Sequence, residues 1–178
     1  MKQIGLMILI VTTCFGCSGN FDIENPDVRQ FVTQLKDGSY NQYYKGEDGE
    51  NLWTVFPEFT LKDIPLLLEY AKDTTLISPC DHFPVNPISS IPPCRADKNG
   101  KGAIMLGEYL LWSAETIING HFPSLTPLLR QASDSQNRVL NGKEILIVRQ
   151  KYLDWWNDYG KKGNVSVLPL SGTGYLWM

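Results

Sequence analysis

The chain has 178 residues, of which 43% are hydrophobic and 20% are charged, and its formal net charge at pH 7 is -3. This length allows one domain with a hydrophobic core. The sequence contains no cluster of basic residues and no run of roughly 18 apolar residues, which argues against a nucleic-acid partner and against a membrane-spanning helix.

The first 17 residues, MKQIGLMILIVTTCFGC, carry an export pattern. Lys2 precedes an apolar run from Ile4 to Val11 that is too short to span a bilayer, and Gly16 and Cys17 close the pattern. This arrangement resembles a bacterial lipoprotein signal, although Cys14 stands where that family usually has a leucine. The alternative is an ordinary cleaved secretory signal without a lipid.

The resemblance implies a signal peptide at residues 1–16, lipid attachment at Cys17 and a tether at residues 17–24. Ser18 resembles the residue found in lipoproteins sent to the outer membrane. We therefore expect an outer-membrane lipoprotein that is held to the membrane through its N-terminal lipid. Whether the domain faces the periplasm or the cell surface stays open.

Export would place Cys80 and Cys94 in an oxidising compartment. They are the only cysteines after residue 17, and they close a loop of 15 residues. A disulfide of that span stabilises a fold by about 3 kcal/mol. We expect this disulfide, and it would staple the proline-rich stretch at residues 73–101.

The remaining pattern predicts a single helical domain over residues 25–178. In the first half of the domain we expect a helix from Asn25 to Gly38, a polar surface loop at 38–52, a short strand at 52–56, a helix from Thr60 to Ala71 and the proline-rich loop. In the second half we expect a central helix from Gly102 to Gly120, a short helix burying Leu125, Leu128 and Leu129, a polar connection at 134–141 and a helix from Gly142 to Tyr159. The C-terminus is expected to form a hairpin around Gly172–Gly174 or a strap across the helices. This predicts a mainly α fold of about five helices in a compact helical-hairpin arrangement, with minor β structure at the C-terminus.

Three residues, Asp97, Asn99 and Glu108, fit positions 1, 3 and 12 of the EF-hand calcium loop, and Gly102 fits its glycine position. Lys101 stands where a ligand oxygen belongs, and prolines replace the entering helix. The alternatives are a weak calcium site and a polar turn that leads into the central helix.

Cys80 and His82 resemble a nucleophile beside a base, and Cys80, His82, Cys94 and His121 are suitable zinc ligands in type. The expected disulfide removes the free thiolate that either role needs. We therefore assign no catalytic residue, no metal and no cofactor.

The central helix carries a narrow polar stripe of Glu108, Glu115 and Asn119, and Trp112 lies within it. A solvated face is the usual meaning of such a glutamate pair. Trp112 is either an exposed anchor for a protein or a sugar ring, or a residue that the proline-rich loop or the C-terminal tail covers. We name Trp112 as the possible interaction residue.

Three segments, residues 83–90, 107–112 and 122–125, resemble small exported lipoproteins of Bacteroides-type bacteria that have no assigned function. The resemblance carries no catalytic residues. Our leading hypothesis is a non-enzymatic, lipid-anchored module of the cell envelope that contacts another envelope protein or a glycan. The alternatives are an envelope hydrolase working through carboxylates in a cleft and a weakly calcium-binding module.

Overall fold

The computed structural model of the chain describes residues 21–78, 83–84, 95–120, 126–136 and 138–178. These residues form four α-helices and seven short strands. In chain order they are α1 (Val28–Asp37), β1 (Tyr43–Lys45), β2 (Asn51–Thr54), α2 (Ile64–Tyr70), β3 (Leu76–Ile77), β4 (Arg95–Ala96), β5 (Gly102–Met105), α3 (Leu106–Ile118), β6 (Leu129–Gln131), α4 (Gly142–Asp158) and β7 (Tyr175–Trp177), with short 3-10 helices at Leu61–Asp63 and Gly160–Lys162.

Helix α3 is the centre of the fold. All of its residues are buried, and it packs against α2 and α4. Gly107 allows the first turn of α3 to approach the segment after α2, because a Cβ atom at this position would lie 2.3 Å from the carbonyl oxygen of Ala71. The N–H of Gly107 donates to the carbonyl oxygen of Asp73 at 2.7 Å, which closes this contact.

The strands form three small antiparallel sheets. Strand β5 lies between β3 and β4, so that Ile104 pairs with Ile77 and Ala103 pairs with Arg95. Strand β7 pairs with β6 and carries the C-terminus back to the core. Strands β1 and β2 form a two-stranded sheet of their own.

Local signals set the ends of the longer helices. Asp27 caps α1, and Gly38 ends it in the left-handed conformation at φ 75°. Asn141 and Glu144 form a reciprocal capping box at the start of α4. Apolar residues at helical spacing form the buried faces of α1, α2 and α4, which are Val28, Phe31, Val32, Leu35, Ile64, Leu67, Leu68, Ala71, Ile145, Val148, Tyr152 and Trp155.

The predicted fold class is wrong. Four helices and seven strands in the described residues make a mixed α/β fold, rather than a mainly α fold of five helices. Residues 102–105 form a strand because they pair with β3 on one side and β4 on the other. A short apolar run fits both a helix and a buried strand, and only this distant pairing decides between them.

A second error concerns the short helix expected at Leu125, Leu128 and Leu129. Leu129 instead begins strand β6, which pairs with the C-terminal strand β7. The predicted disulfide between Cys80 and Cys94, and with it the stapled loop, lies outside the described residues. Within the described part of the chain, no helix is long and apolar enough to cross a membrane.

The ordered core begins before residue 25, the predicted start of the domain. Phe21 is buried, and its ring lies 5.9 Å from that of Phe31 and 5.4 Å from that of Tyr40. The side chain of Asp22 accepts hydrogen bonds from the N–H groups of Glu24 and Asn25 and turns the chain towards α1. The segment assigned to the tether therefore includes core residues.

Candidate functional site

Trp112, the residue named as a possible interaction anchor, is only 1% exposed. Its ring stacks on Tyr109 at 5.7 Å and meets the edge of Phe56 at 5.9 Å. Tyr109 in turn packs against Phe83 from the proline-rich segment. The assignment as an exposed anchor is wrong. Trp112 is buried, as the alternative required, but the ring of Phe56 that packs against it belongs neither to the proline-rich loop nor to the C-terminal tail.

Glu108, which was expected on a solvated face, is fully buried. Its Oε2 accepts a hydrogen bond from Arg95, and its Oε1 accepts one from the N–H of Leu129 at 2.8 Å. The other arm of the Arg95 guanidinium donates to the carbonyl oxygen of Leu140. This ion pair ties α3 to β4, to β6 and to the segment that leads into α4.

Glu115 is also buried, two turns further along α3. Its Oε2 accepts a hydrogen bond from the hydroxyl of Tyr152 at 2.6 Å, and its Oε1 accepts one from Asn119 at 3.3 Å. The indole N–H of Trp177 donates to the Tyr152 hydroxyl at 3.1 Å. Glu115 therefore links α3, α4 and the C-terminal strand.

Burial raises the pKa of both carboxyl groups above the ordinary value, and the hydrogen bonds that each accepts act in the opposite direction. Burial likewise raises the pKa of the Tyr152 hydroxyl well above its usual range. Raised carboxyl pKa values are common at active sites, but structural networks raise them as well. Here Glu108 accepts from residues of β4 and β6, and Glu115 accepts from Tyr152 of α4 and from Asn119 at the end of its own helix, so both carboxylates have the partners that a structural role requires.

The segment that matched a calcium loop is a hairpin turn between β4 and β5. The Oδ1 of Asp97 accepts hydrogen bonds from the N–H groups of Asn99 and Lys101, both at 2.8 Å, and its Oδ2 accepts one from Ser78. Glu108 is directed into the core towards Arg95 instead. The three matched residues therefore do not form one cage of ligands. Residues 97–101 form a polar turn, but it leads into strand β5 and not directly into the central helix.

Several predicted site residues lie outside the described ranges. They are Cys17, the proposed lipid attachment residue, Cys80 and Cys94 of the expected disulfide, and His82 and His121 of the weighed zinc site. Among the residues that the structure does describe, no group of three or more His, Cys, Asp or Glu side chains could hold a metal ion.

Among the residues that the structure describes, the most exposed aromatic side chains lie on the β1–β2 hairpin. Tyr44 is 50% exposed and Trp53 is 42% exposed, and their rings lie 5.3 Å apart. Leu52, beside Trp53, is 46% exposed. We call these three residues the hairpin surface. Tyrosine and tryptophan combine a large apolar area with a polar tip, and they are enriched where proteins bind other molecules.

The base of the hairpin is fixed to the aromatic core. The hydroxyl of buried Tyr40 donates to the carbonyl oxygen of Val55 at 2.6 Å, and the N–H of Val55 donates to the carbonyl oxygen of Gln42 at 2.9 Å. Tyr40 packs edge-on against Phe31 at 5.2 Å. The hairpin surface is therefore presented from a rigid support.

The strand predicted at 52–56 overlaps β2, but residues 38–52 were assigned to a loop, so β1 and the pairing of the hairpin were missed. A signal was present, because Asp48 and Gly49 lie between two aromatic segments and Asp-Gly is a strong hairpin signal. In the structure Gly49 has φ 79°, and its N–H donates to the carbonyl oxygen of Gly46. The polar residues around the turn obscured only the pattern of β1.

Together these features define a small mixed α/β domain with a buried polar network and an exposed aromatic hairpin. Residues 22–178 match the family described as a domain of unknown function, DUF4943, and the chain belongs to this family. The expected resemblance to a family without an assigned function is thereby confirmed. No curated protein and no solved structure matches the chain.

Proposed function

We propose that this protein is a lipid-anchored binding module of the cell envelope, of the type exported by Bacteroides-type bacteria, and that it uses the hairpin surface to contact an envelope partner. The lipid would be attached at Cys17, and the disulfide would join Cys80 and Cys94. The pattern of residues 1–17 supports the anchor and the compartment.

The proposal rests on one observation: the two glutamates of α3 are buried, whereas two aromatic side chains of the hairpin are exposed. Glu108 and Glu115, the carboxylates considered for catalysis, are buried and hydrogen-bonded to side chains and backbone. A general acid or base must reach a substrate proton. The aromatic rings of Tyr44 and Trp53, in contrast, are exposed on a supported hairpin. This favours binding over hydrolysis.

A site-specific crosslinking experiment tests the proposal. A photo-crosslinking amino acid replaces Trp53 in the full-length protein inside cells, and a second strain carries it in place of Leu146 on α4. The two positions form a matched pair, because their exposed fractions are 42% and 43%. We expect one abundant adduct from position 53 that Tyr44→Ser weakens, and no comparable adduct from position 146.

Equal crosslinking at the two positions, or none at position 53, would contradict the proposal. Mass spectrometry of the adduct identifies the partner as a protein or a glycan. The anchor is tested separately: Cys17→Ser should release the protein from the membrane fraction, and retention in that fraction would contradict lipid attachment at Cys17.

A further inference from the structure

The first described residues of the chain lie beside the base of the hairpin. The N–H of Glu58 donates to the carbonyl oxygen of Ile23 at 2.9 Å, and Glu58 follows shortly after Val55 at the hairpin base. The carbonyl oxygen of Val55 accepts the hydrogen bond from Tyr40, and the ring of buried Phe21 packs against Tyr40 at 5.4 Å. The N-terminal end of the described chain and the base of the hairpin are therefore on the same side of the domain.

The proposed lipid attachment residue is close to this side of the domain. In the sequence, only Ser18, Gly19 and Asn20 separate Cys17 from Phe21. Such a segment can span at most about 14 Å, whereas a compact domain of this size measures on the order of 40 Å across. Phe21 is held in the aromatic core and adds no length to the tether. Lipidation at Cys17 would therefore keep the hairpin side of the domain near the bilayer.

The hairpin surface is small for a binding site that acts without help. Its three side chains are each about half exposed, so together they offer on the order of 300 Å². Stable protein complexes usually bury on the order of 1,600 Å² in total. A short tether to the same membrane as the partner raises the effective concentration of the two proteins, which makes a weak contact sufficient. The size of the surface therefore favours a partner that the same membrane holds.

The charge of the hairpin argues against the lipid itself as the bound surface. The turn carries the exposed carboxylates of Glu47, Asp48 and Glu50, and Lys45, the basic residue of the hairpin, donates to the side chain of Asn51. Exposed tyrosine and tryptophan suit both a protein interface and a lipid headgroup region. The carboxylates decide between these two, because anionic headgroups would repel them and a basic protein surface would attract them.

We propose that the hairpin surface binds a basic, partly apolar surface that an integral protein of the same membrane exposes close to the bilayer. This inference rests on the proposed function and specifies the partner. The aromatic side chains supply contact area, the turn carboxylates supply charge complementarity, and the short tether supplies effective concentration.

Lengthening the tether tests the inference in cells. Flexible Gly-Ser segments of about 10, 20 and 40 residues are inserted between Gly19 and Asn20 of the full-length protein, which carries the photo-crosslinking amino acid at position 53. Effective concentration falls with roughly the -3/2 power of tether length, so we expect the adduct to decrease at each step and by at least about threefold at the longest insert. An adduct that does not decrease would overturn the inference. Membrane fractionation and urea unfolding confirm that each variant is anchored and folded like the parent.

The chemistry of the adduct tests the class of partner. Mass spectrometry should identify a protein that stays in the membrane pellet after washes at high salt and at alkaline pH, as integral proteins do. The variant Glu47→Gln/Asp48→Asn/Glu50→Gln should weaken the adduct, because the amides remove the charge of the turn and keep its size. A soluble protein, a glycan or a lipid in the adduct would overturn the inference, and so would an adduct that the amides leave unchanged or strengthen.

These outcomes separate the inference from the proposed function. An adduct of position 53 with a soluble protein or a glycan would keep the binding function and refute the integral membrane partner. Absence of any adduct at position 53, whatever the tether length, would contradict both.

Discussion

The polar face of α3 and the β1–β2 hairpin differ in how far their side chains are buried and in how strongly their sequences suggest a function. The face of α3 holds two carboxylates and a tryptophan, a combination that attracts a functional interpretation, yet all three side chains are buried. The hairpin comes from a polar stretch without a catalytic or metal-binding motif, yet it exposes Tyr44 and Trp53 to solvent.

This difference shows that a carboxylate or an aromatic ring indicates a function only when the groups that contact it are also known. Glu108 contacts Arg95, and Glu115 contacts Tyr152, so their chemistry is used inside the fold. The hairpin is a poor contributor to the core, and this leaves its aromatic rings available for binding. The following expectations test that contrast, beginning with the largest effect.

Matched tryptophan substitutions test the contrast directly. Trp112→Ala should lower the free energy of unfolding by about 3–5 kcal/mol, because it removes a large ring from the packed core. Trp53→Ala should lower it by less than about 1.5 kcal/mol, because it removes one partner of an exposed aromatic pair. Urea unfolding of both variants measures the two values. Similar losses would show that the hairpin belongs to the structural core.

The buried ion pair should be nearly as sensitive. Arg95→Met leaves the carboxylate of Glu108 buried without its cation, and we expect a loss of about 3–5 kcal/mol in unfolding free energy. The double variant Arg95→Met/Glu108→Gln should recover part of this loss, because it removes both charges while the amide oxygen can still accept from the N–H of Leu129. A double variant as unstable as the single one would mean that the pair has a role beyond mutual neutralisation.

The close approach at the start of α3 predicts a smaller loss. Gly107→Ala places a methyl group 2.3 Å from the backbone oxygen of Ala71, which must move. We expect a loss of about 1–3 kcal/mol. Gly142→Ala is the control, since its methyl group meets the side chain of Thr74 at 3.2 Å. Thermal unfolding should rank Gly107→Ala as the more damaging change, and the reverse order would contradict the packing described for α3.

Two glutamates should give pH effects of opposite sign. Burial raises the pKa of Glu115 above 4.5 in the folded protein. The parent should therefore lose stability relative to Glu115→Gln as the pH rises from about 4.5 through the raised pKa. Hydrogen bonds from Arg138 lower the pKa of Glu144 to about 2. The parent should therefore lose stability relative to Glu144→Gln as the pH falls from about 4.5 towards 2.

Unfolding curves of the parent and both variants over this pH range measure these slopes. The two differences have opposite signs because the folded state holds the Glu115 proton more tightly and the Glu144 proton more loosely than the unfolded chain does. Slopes of the same sign would show that one of the two environments is described incorrectly.

Local sequence signals were sufficient for several elements. The end of α1 was predicted at Gly38 and the start of α4 at Gly142, and in the structure Gly38 and the cap at Asn141 mark these positions. The buried faces of these helices follow from the spacing of their apolar residues. Such elements could be predicted because each signal lies within a few residues of the structure that it determines.

The errors concern features that depend on distant residues. The burial of Glu108 requires Arg95 and the backbone of Leu129, which are 13 and 21 positions away. Strand β5 requires pairing with β3 and β4. The hairpin surface was different, because its Asp48–Gly49 signal was local and was overlooked.

Hydrogen exchange measured with and without an extract of the source cells tests the central claim most directly. We expect the extract to slow exchange at residues 43–54 of the full-length protein and to leave α3 unchanged, since α3 is buried before binding. Slowed exchange on the exposed side of α4, around Leu146, with an unchanged hairpin would contradict the account and move the binding surface to that helix.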